Sequence, residues 1–277
     1  MSRRAGCAPI QRDQEGNMDF LERDDGVLHY QLEGPAGAPV ILFANALGTD
    51  LRMWDAASEL LRDRYRILRY DMPGHGLSSA PPGPYTMAGL ATDCVALLDA
   101  LELDQVHFCG LSIGGMVGQQ FAGSHGDRLH SVTLVDTTMR MPEPAQWTER
   151  APQVRKDGLG GLVDGAMERW FTDAFRETAT VGGIRNMFQR CAPQGYAGCC
   201  EAIAGMDLEP QVDAIECPAL VMVGEDDPGT PVSAAESLAR RLGDARIRII
   251  PEARHLSPVE KPRETVDMLT AFLAGQN

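Results

Sequence analysis

The sequence predicts an α/β fold: a mostly parallel eight-stranded sheet flanked by helices, with a helical cap inserted into it. Three observations point there. Apolar runs such as Val40-Ile41-Leu42-Phe43-Ala44 and Leu220-Val221-Met222-Val223 have no polar face, as strands covered on both sides require. Stretches of helical periodicity separate most of these runs, the alternation expected of a parallel sheet with crossover helices. Between Val135 and Ala219 the alternation stops, and no strand pattern breaks a segment far longer than an ordinary connection.

Each element follows from local pattern. Asp19–Arg23 and Val27–Glu33 read as strands joined by the Asp24-Asp25-Gly26 turn, hence as an antiparallel hairpin. Strands at Val40–Ala44 and Arg66–Tyr70 flank a helix at Leu51–Asp63. A helix at Thr86–Leu101 leads to a strand at Val106–Gly110, a helix at Ile113–Ser124 and a strand at Ser131–Val135. Pro142 and Pro144 open the long insertion, where Gly161 to Phe171 has helical spacing. The alternation resumes with a strand at Ala219–Gly224, a helix at Ser233–Leu242, a strand at Arg246–Ile250 and a last helix at Arg263–Leu273. Residues 18–141 and 213–277 are therefore expected to form the core and 142–212 the cap. Residues 1–17 are polar and aperiodic and are expected to be a disordered tail.

Composition excludes several classes of partner. A chain of 277 residues that is 44% hydrophobic can fill one large core with an insertion. A net charge of -14 argues against nucleic acid and anionic membranes. No apolar run reaches transmembrane length, and the N-terminal stretch has no signal-peptide core. The seven cysteines are irregularly spaced without a C-x-x-C, which reads as a reducing, cytoplasmic setting. No cofactor and no metal are called for. The expected partner is a small-molecule lactone or ester, and a homo-oligomer stays open.

The chemistry concentrates at Gly110-Leu111-Ser112-Ile113-Gly114. A strand runs into this segment and a helix leaves it, so Ser112 sits at the apex of a tight turn in a G-x-S-x-G pattern. Such a turn lifts the hydroxyl clear of the sheet and aims a helix N-terminus at the reacting centre. A nucleophilic serine needs a base, and an acid to orient that base. Of the six histidines, His255 alone lies in a late loop after the last strand, as the order Ser, Asp or Glu, His requires. The acid is expected after the penultimate strand, in Glu225-Asp226-Asp227-Pro228. Asp227 is the first choice, with Asp226 as its competitor and Asp136 as a further one. Two N–H groups must hold the oxyanion. Ile113, after the nucleophile, supplies one, and Ala46 in the loop after the third strand is the candidate for the other.

At these residues the chain resembles an α/β-hydrolase with a helical cap, and most closely the 3-oxoadipate enol-lactonases of aromatic catabolism. The resemblance rests on Ala44-Asn45-Ala46-Leu47-Gly48-Thr49-Asp50, on Arg69-Tyr70-Asp71-Met72-Pro73-Gly74-His75-Gly76, and on the segment around Ser112. In the cap it rests on Glu168-Arg169-Trp170-Phe171-Thr172 and Gly195-Tyr196-Ala197-Gly198-Cys199-Cys200. It spans nearly everything after Met18. It departs at Ala44 and Ala46, where serines are common, and at Pro73 and Asp173. The resemblance implies opening of a carboxylate-bearing enol-lactone through an acyl-enzyme. It places Asn45 at the substrate, Trp147 against the ring and Arg150 on the carboxylate. Alternatives are a general carboxylesterase or lactonase, a cofactor-free perhydrolase on the same three residues, and a non-enzymatic ligand receptor on the same fold.

Overall fold

In a computed structural model, residues 19–243 and 245–276 are described, so the expected tail at 1–17 lies outside the described residues. The strands are Asp19–Arg23 (β1), Gly26–Glu33 (β2), Val40–Ala44 (β3), Arg66–Tyr70 (β4), Val106–Leu111 (β5), Leu129–Val135 (β6), Ala219–Gly224 (β7) and Arg246–Ile250 (β8). They form one eight-stranded sheet in the order β1-β2-β4-β3-β5-β6-β7-β8. Strand β2 pairs antiparallel with β1 and β4, and every other pairing is parallel. The uninterrupted apolar runs have become strands buried along their whole length, β3, β5 and β7. Strand β8 forms one edge and is mostly exposed. The mostly parallel sheet with flanking helices agrees with the fold read from the sequence.

The chain leaves β3 for β4 on one side and returns to β5 on the other. The carboxyl ends of β3 and β5 therefore border a crevice where the winding reverses, the usual ligand position in an open α/β sheet. Gly114 N–H donates to Asn45 O across that border at 3.1 Å.

The helix expected at Leu51–Asp63 is split. The Asp50 side chain accepts the Arg52 N–H and starts a 3-10 turn at Leu51–Trp54, and an α-helix follows at Asp55–Leu61 (α1). Met87–Ala100 (α2) and Ile113–Ser124 (α3) lie close to their expected bounds. Between β6 and β7 run Ala145–Asp157 (α4), Val163–Trp170 (α5), Ala179–Gln189 (α6), Pro193–Ala204 (α7) and Glu209–Asp213 (α8). Helix α8 packs against α3, where a Cβ on Gly123 would come within 2.4 Å of Gln211 O. The end of the inserted segment thus sits with the core helices, and α4 to α7 are the helices that remain to cover the site. Val232–Arg241 (α9), Ser257–Glu260 (α10) and Pro262–Leu273 (α11) complete the chain. No helix among the described residues is long and apolar enough to cross a membrane.

Candidate active site

Ser112 is the residue that links β5 to α3. Its backbone has φ 57° and ψ -118°, a conformation that an L-residue holds only when its surroundings impose it. The flanking glycines make the turn possible. A Cβ on Gly110 would lie 2.2 Å from Gly114 O, and one on Gly114 would lie 2.3 Å from Ala44 O. Gly110→Ala is therefore expected to destabilise the fold by about 1–3 kcal/mol, as overpacking does. At roughly 2–4 °C per kcal/mol for a chain of this size, Tm should drop by about 2–12 °C. Gly126→Ala, which meets nothing within 4 Å, should leave Tm within about 2 °C of wild type. Equal Tm values for the two variants in a thermal melt would show that the turn is not constrained in this way.

The structure brings Ser112, His255 and Asp227 together from three loops. His255 Nε2 lies 2.9 Å from Ser112 Oγ, and His255 Nδ1 lies 2.8 Å from Asp227 Oδ2. Asp227 accepts two further bonds, from Gly229 N–H at 2.8 Å and from the Thr230 hydroxyl at 2.5 Å. These hold the carboxylate facing inward. Asp226, its sequence competitor, is exposed. Asp136 is fully buried at the end of β6, but its oxygens accept Gly224 N–H and the Ser257 hydroxyl, not the imidazole.

Electrostatics separate the two buried acids. Burial pushes the Asp136 carboxyl well up, and the nearby Asp227 charge adds to that. Burial also acts to raise Asp227, but the His255 charge and the three hydrogen bonds outweigh it and bring its carboxyl below the usual value. For His255, burial acts to lower the pKa. The Asp227 charge and hydrogen bond win, and the imidazole is held above its ordinary value. The proton shared along this relay thus favours the His255 side, with Asp227 anionic.

The loop after β3 departs from expectation in two places. Ala46 lines the cavity of Ser112, but its N–H is taken by Met53 Sδ at 3.4 Å. The sequence choice of Ala46 as an oxyanion donor is therefore corrected. From Ala46 to Met53 every backbone N–H has an acceptor among the described residues except that of Leu47, which lines the same cavity as Ser112. Ile113 N–H, at the start of α3, likewise has no protein acceptor among the described residues. Asn45 is the second correction. It is fully buried, its Nδ2 donates to Tyr70 O at 2.7 Å, and it does not line the cavity. It fastens the loop to β4 instead of meeting a ligand.

A cavity of about 290 Å³ opens above Ser112 and His255. Trp147 and Arg150 of α4 line it, and the Arg150 guanidinium sits 4.5 Å from the centre of the Trp147 ring. Met116, Met141, Trp170 and Ile203 give it an apolar wall, and Arg169 and Tyr196 reach it as well. Arg169, in the Glu168-Arg169-Trp170-Phe171 segment that carried the resemblance, ranks at the sequence level only behind Arg150, beside Arg185, as a cation for a substrate carboxylate. The loop of His255 is bound to that segment: Leu256 N–H donates to Trp170 O at 3.2 Å, and Arg254 donates to Glu168 O at 2.6 Å.

Comparison with known proteins agrees with this architecture. The profile of the Alpha/beta hydrolase family matches residues 41–268. The 3-oxoadipate enol-lactonase 2 of Acinetobacter baylyi is 38% identical over 247 residues, which is 88% of this chain and 92% of that protein. The crystal structure of the enol-lactonase from Burkholderia xenovorans superposes with a TM-score of 0.89 at 37% identity, covering 92% of this chain and 99% of that one. A thermophilic esterase from Thermogutta terrifontis, solved with malate bound, gives a TM-score of 0.85 at 32% identity over 90% of this chain and 94% of that chain. The chain belongs to the alpha/beta hydrolase family, and within it to the ester-hydrolysing group that contains the 3-oxoadipate enol-lactonases.

Proposed function

We propose that this enzyme opens a carboxylate-bearing enol-lactone, of the 3-oxoadipate enol-lactone type, through an acyl-enzyme on Ser112. His255 takes the Ser112 proton as the hydroxyl oxygen attacks the lactone carbonyl. Asp227 orients the imidazole and stabilises its cation. The N–H groups of Leu47 and Ile113 receive the oxyanion. The ring C–O bond then breaks, and the leaving enolate oxygen, still tethered to the acyl group, takes the proton from His255 to become an enol, which leaves the imidazole neutral again. Because an enolate leaves more readily than an alkoxide, protonation by His255 is less demanding than in amide cleavage. Ketonisation of the enol opposes re-closure. Water activated by His255 attacks the acyl carbon, and Ser112 is regenerated with the open-chain acid.

The observation that carries this reading is the cavity's charge. In a protein of net charge -14, Arg150 and Arg169 both line the cavity, and neither has an ion-pair partner among the described residues. The other arginines of α4 and α6 are paired, Arg155 with Glu201 and Arg185 with Asp164. Trp147 adds a buried Nε1–H with no acceptor among the described residues. Two unpaired guanidiniums beside an apolar wall suit a small ring with an acidic arm. The six described cysteines are all free thiols, which fits a reducing, cytoplasmic setting.

Charge-assisted hydrogen bonds contribute about 1.5–3 kcal/mol each. Arg150→Gln and Arg169→Gln are therefore each expected to lower kcat/KM on the acidic enol-lactone by roughly ten- to a hundred-fold. Turnover of p-nitrophenyl acetate should change by less than about threefold. Equal losses on both substrates would mean that the arginines support the cap alone. A wild-type enzyme that prefers the neutral ester would favour a general carboxylesterase.

A further inference from the structure

His75 is fully buried, lines no part of the cavity, and has no role in the chemistry above. Its surroundings nevertheless define its protonation. Nδ1 lies 3.0 Å from Pro73 O, an acceptor, so Nδ1 carries the proton. Nε2 lies 3.0 Å from Gly48 N, a donor, so Nε2 presents its lone pair. Only the neutral ring with that tautomer satisfies both partners. Burial lowers the pKa of His75 and keeps the ring neutral.

The residue it holds adjoins Leu47. Met53 Sδ takes the Ala46 N–H on one side, and His75 Nε2 takes the Gly48 N–H on the other. Between them Leu47 has no acceptor for its N–H among the described residues, and it lines the cavity that contains Ser112. Gly48 has φ +84° and is pressed on by the cap, since a Cβ there would meet Phe188 Cδ2 at 2.5 Å. The His75 loop is itself wedged against the cap. Gly74 O accepts Ala192 N–H at 2.9 Å, and a Cβ on Gly74 would lie 2.4 Å from Gly195 Cα at the start of α7.

We infer that His75 is a positioning residue for acyl transfer: its imidazole clamps Gly48 and so fixes the Leu47 N–H toward the developing oxyanion. The proposal rests on Ser112 as nucleophile and Leu47 as oxyanion donor. It predicts an effect on the transition state with little effect on ground-state binding. A loop free to rotate the Leu47 N–H out of line loses the contribution of one oxyanion donor, worth about 10²–10³ in kcat.

The test compares three variants on p-nitrophenyl acetate, with competent sites counted by labelling Ser112 with a fluorophosphonate. His75→Phe fills the space with no acceptor. His75→Asn keeps a polar group near Pro73 but is too short to reach Gly48. His75→Gln can place an oxygen where Nε2 stood. We expect His75→Phe and His75→Asn to lose roughly a hundred-fold in kcat per labelled site, with KM within about threefold, and His75→Gln to recover at least about tenfold of that loss. If His75→Phe does not fold, the contrast between the Asn and Gln variants decides the matter. Unchanged kcat per labelled site in His75→Asn would overturn the proposal, as would a Gln variant no better than Asn. Failure of the wild-type enzyme to label at Ser112 is a separate result and would remove the nucleophile assignment instead.

Discussion

Ser112→Ala is expected to reduce kcat on ester and lactone substrates by about three decades or more, with the fold intact. The reason lies in the backbone as well as the side chain. The chain holds residue 112 at φ 57° and keeps Gly110 and Gly114 free of side chains so that one hydroxyl can stand 2.9 Å from His255 Nε2. Among the described residues, no other hydroxyl is hydrogen-bonded to that nitrogen. Thr230, the other hydroxyl near the ring, approaches Nδ1 at 3.4 Å and donates its proton to Asp227. Steady-state hydrolysis of p-nitrophenyl acetate, with circular dichroism to check folding, measures the effect. A variant that keeps more than about a tenth of wild-type kcat would rule out an acyl-enzyme on Ser112.

The sequence made the sheet legible because its strands are short apolar runs with sharp ends. Errors there are small: β6 begins at Leu129 instead of Ser131, and β5 extends to Leu111. The helix expected at Leu51–Asp63 failed at its start because Asp50 caps a tighter turn, a choice made by one side chain. Ser112 and His255 could be placed because turn chemistry and chain order are local signals. Asp227 was the first choice for the acid, but its adjacent carboxylate Asp226 stayed a competitor. What brings Asp227 inward is the turn closed by Gly229 N–H and Thr230, while Asp226 faces solvent.

The oxyanion loop was the least legible part. Which backbone N–H is free depends on groups distant in sequence, and proximity to the strand end favoured Ala46. Met187 from the cap takes the Asp50 N–H at 3.1 Å, and Asp71 takes that of Leu51 at 2.8 Å. Asn45 misled for a related reason. The resemblance placed it at the substrate, but its amide joins the loop after β3 to β4. Arg169 ranked behind Arg150 because a solvated arginine and one facing a cavity have the same local sequence. Only the packing of α5 onto the His255 loop distinguishes them.

Asp227→Asn is expected to lower kcat by about 10⁴, the scale found when the orienting acid of such a relay becomes an amide. The carboxylate accepts the His255 Nδ1 proton at 2.8 Å and balances the imidazolium that forms during attack. An amide can present its NH₂ to Nδ1, which would favour the tautomer with the proton on Nε2 and remove the lone pair that Ser112 needs. The pH profile should change as well. In the wild type the Asp227 charge and hydrogen bond overcome burial and hold His255 above its usual 6.5. His255 works as a base only when neutral, so activity should fall as pH drops through that raised value. Without the charge, burial dominates, and the acid limb of the residual kcat/KM should move to lower pH. Asp226→Asn, at an exposed carboxylate, should retain kcat within about twofold and keep the wild-type profile. A large loss in Asp226→Asn, or an acid limb in Asp227→Asn that stays in place, would transfer the orienting role to another carboxylate.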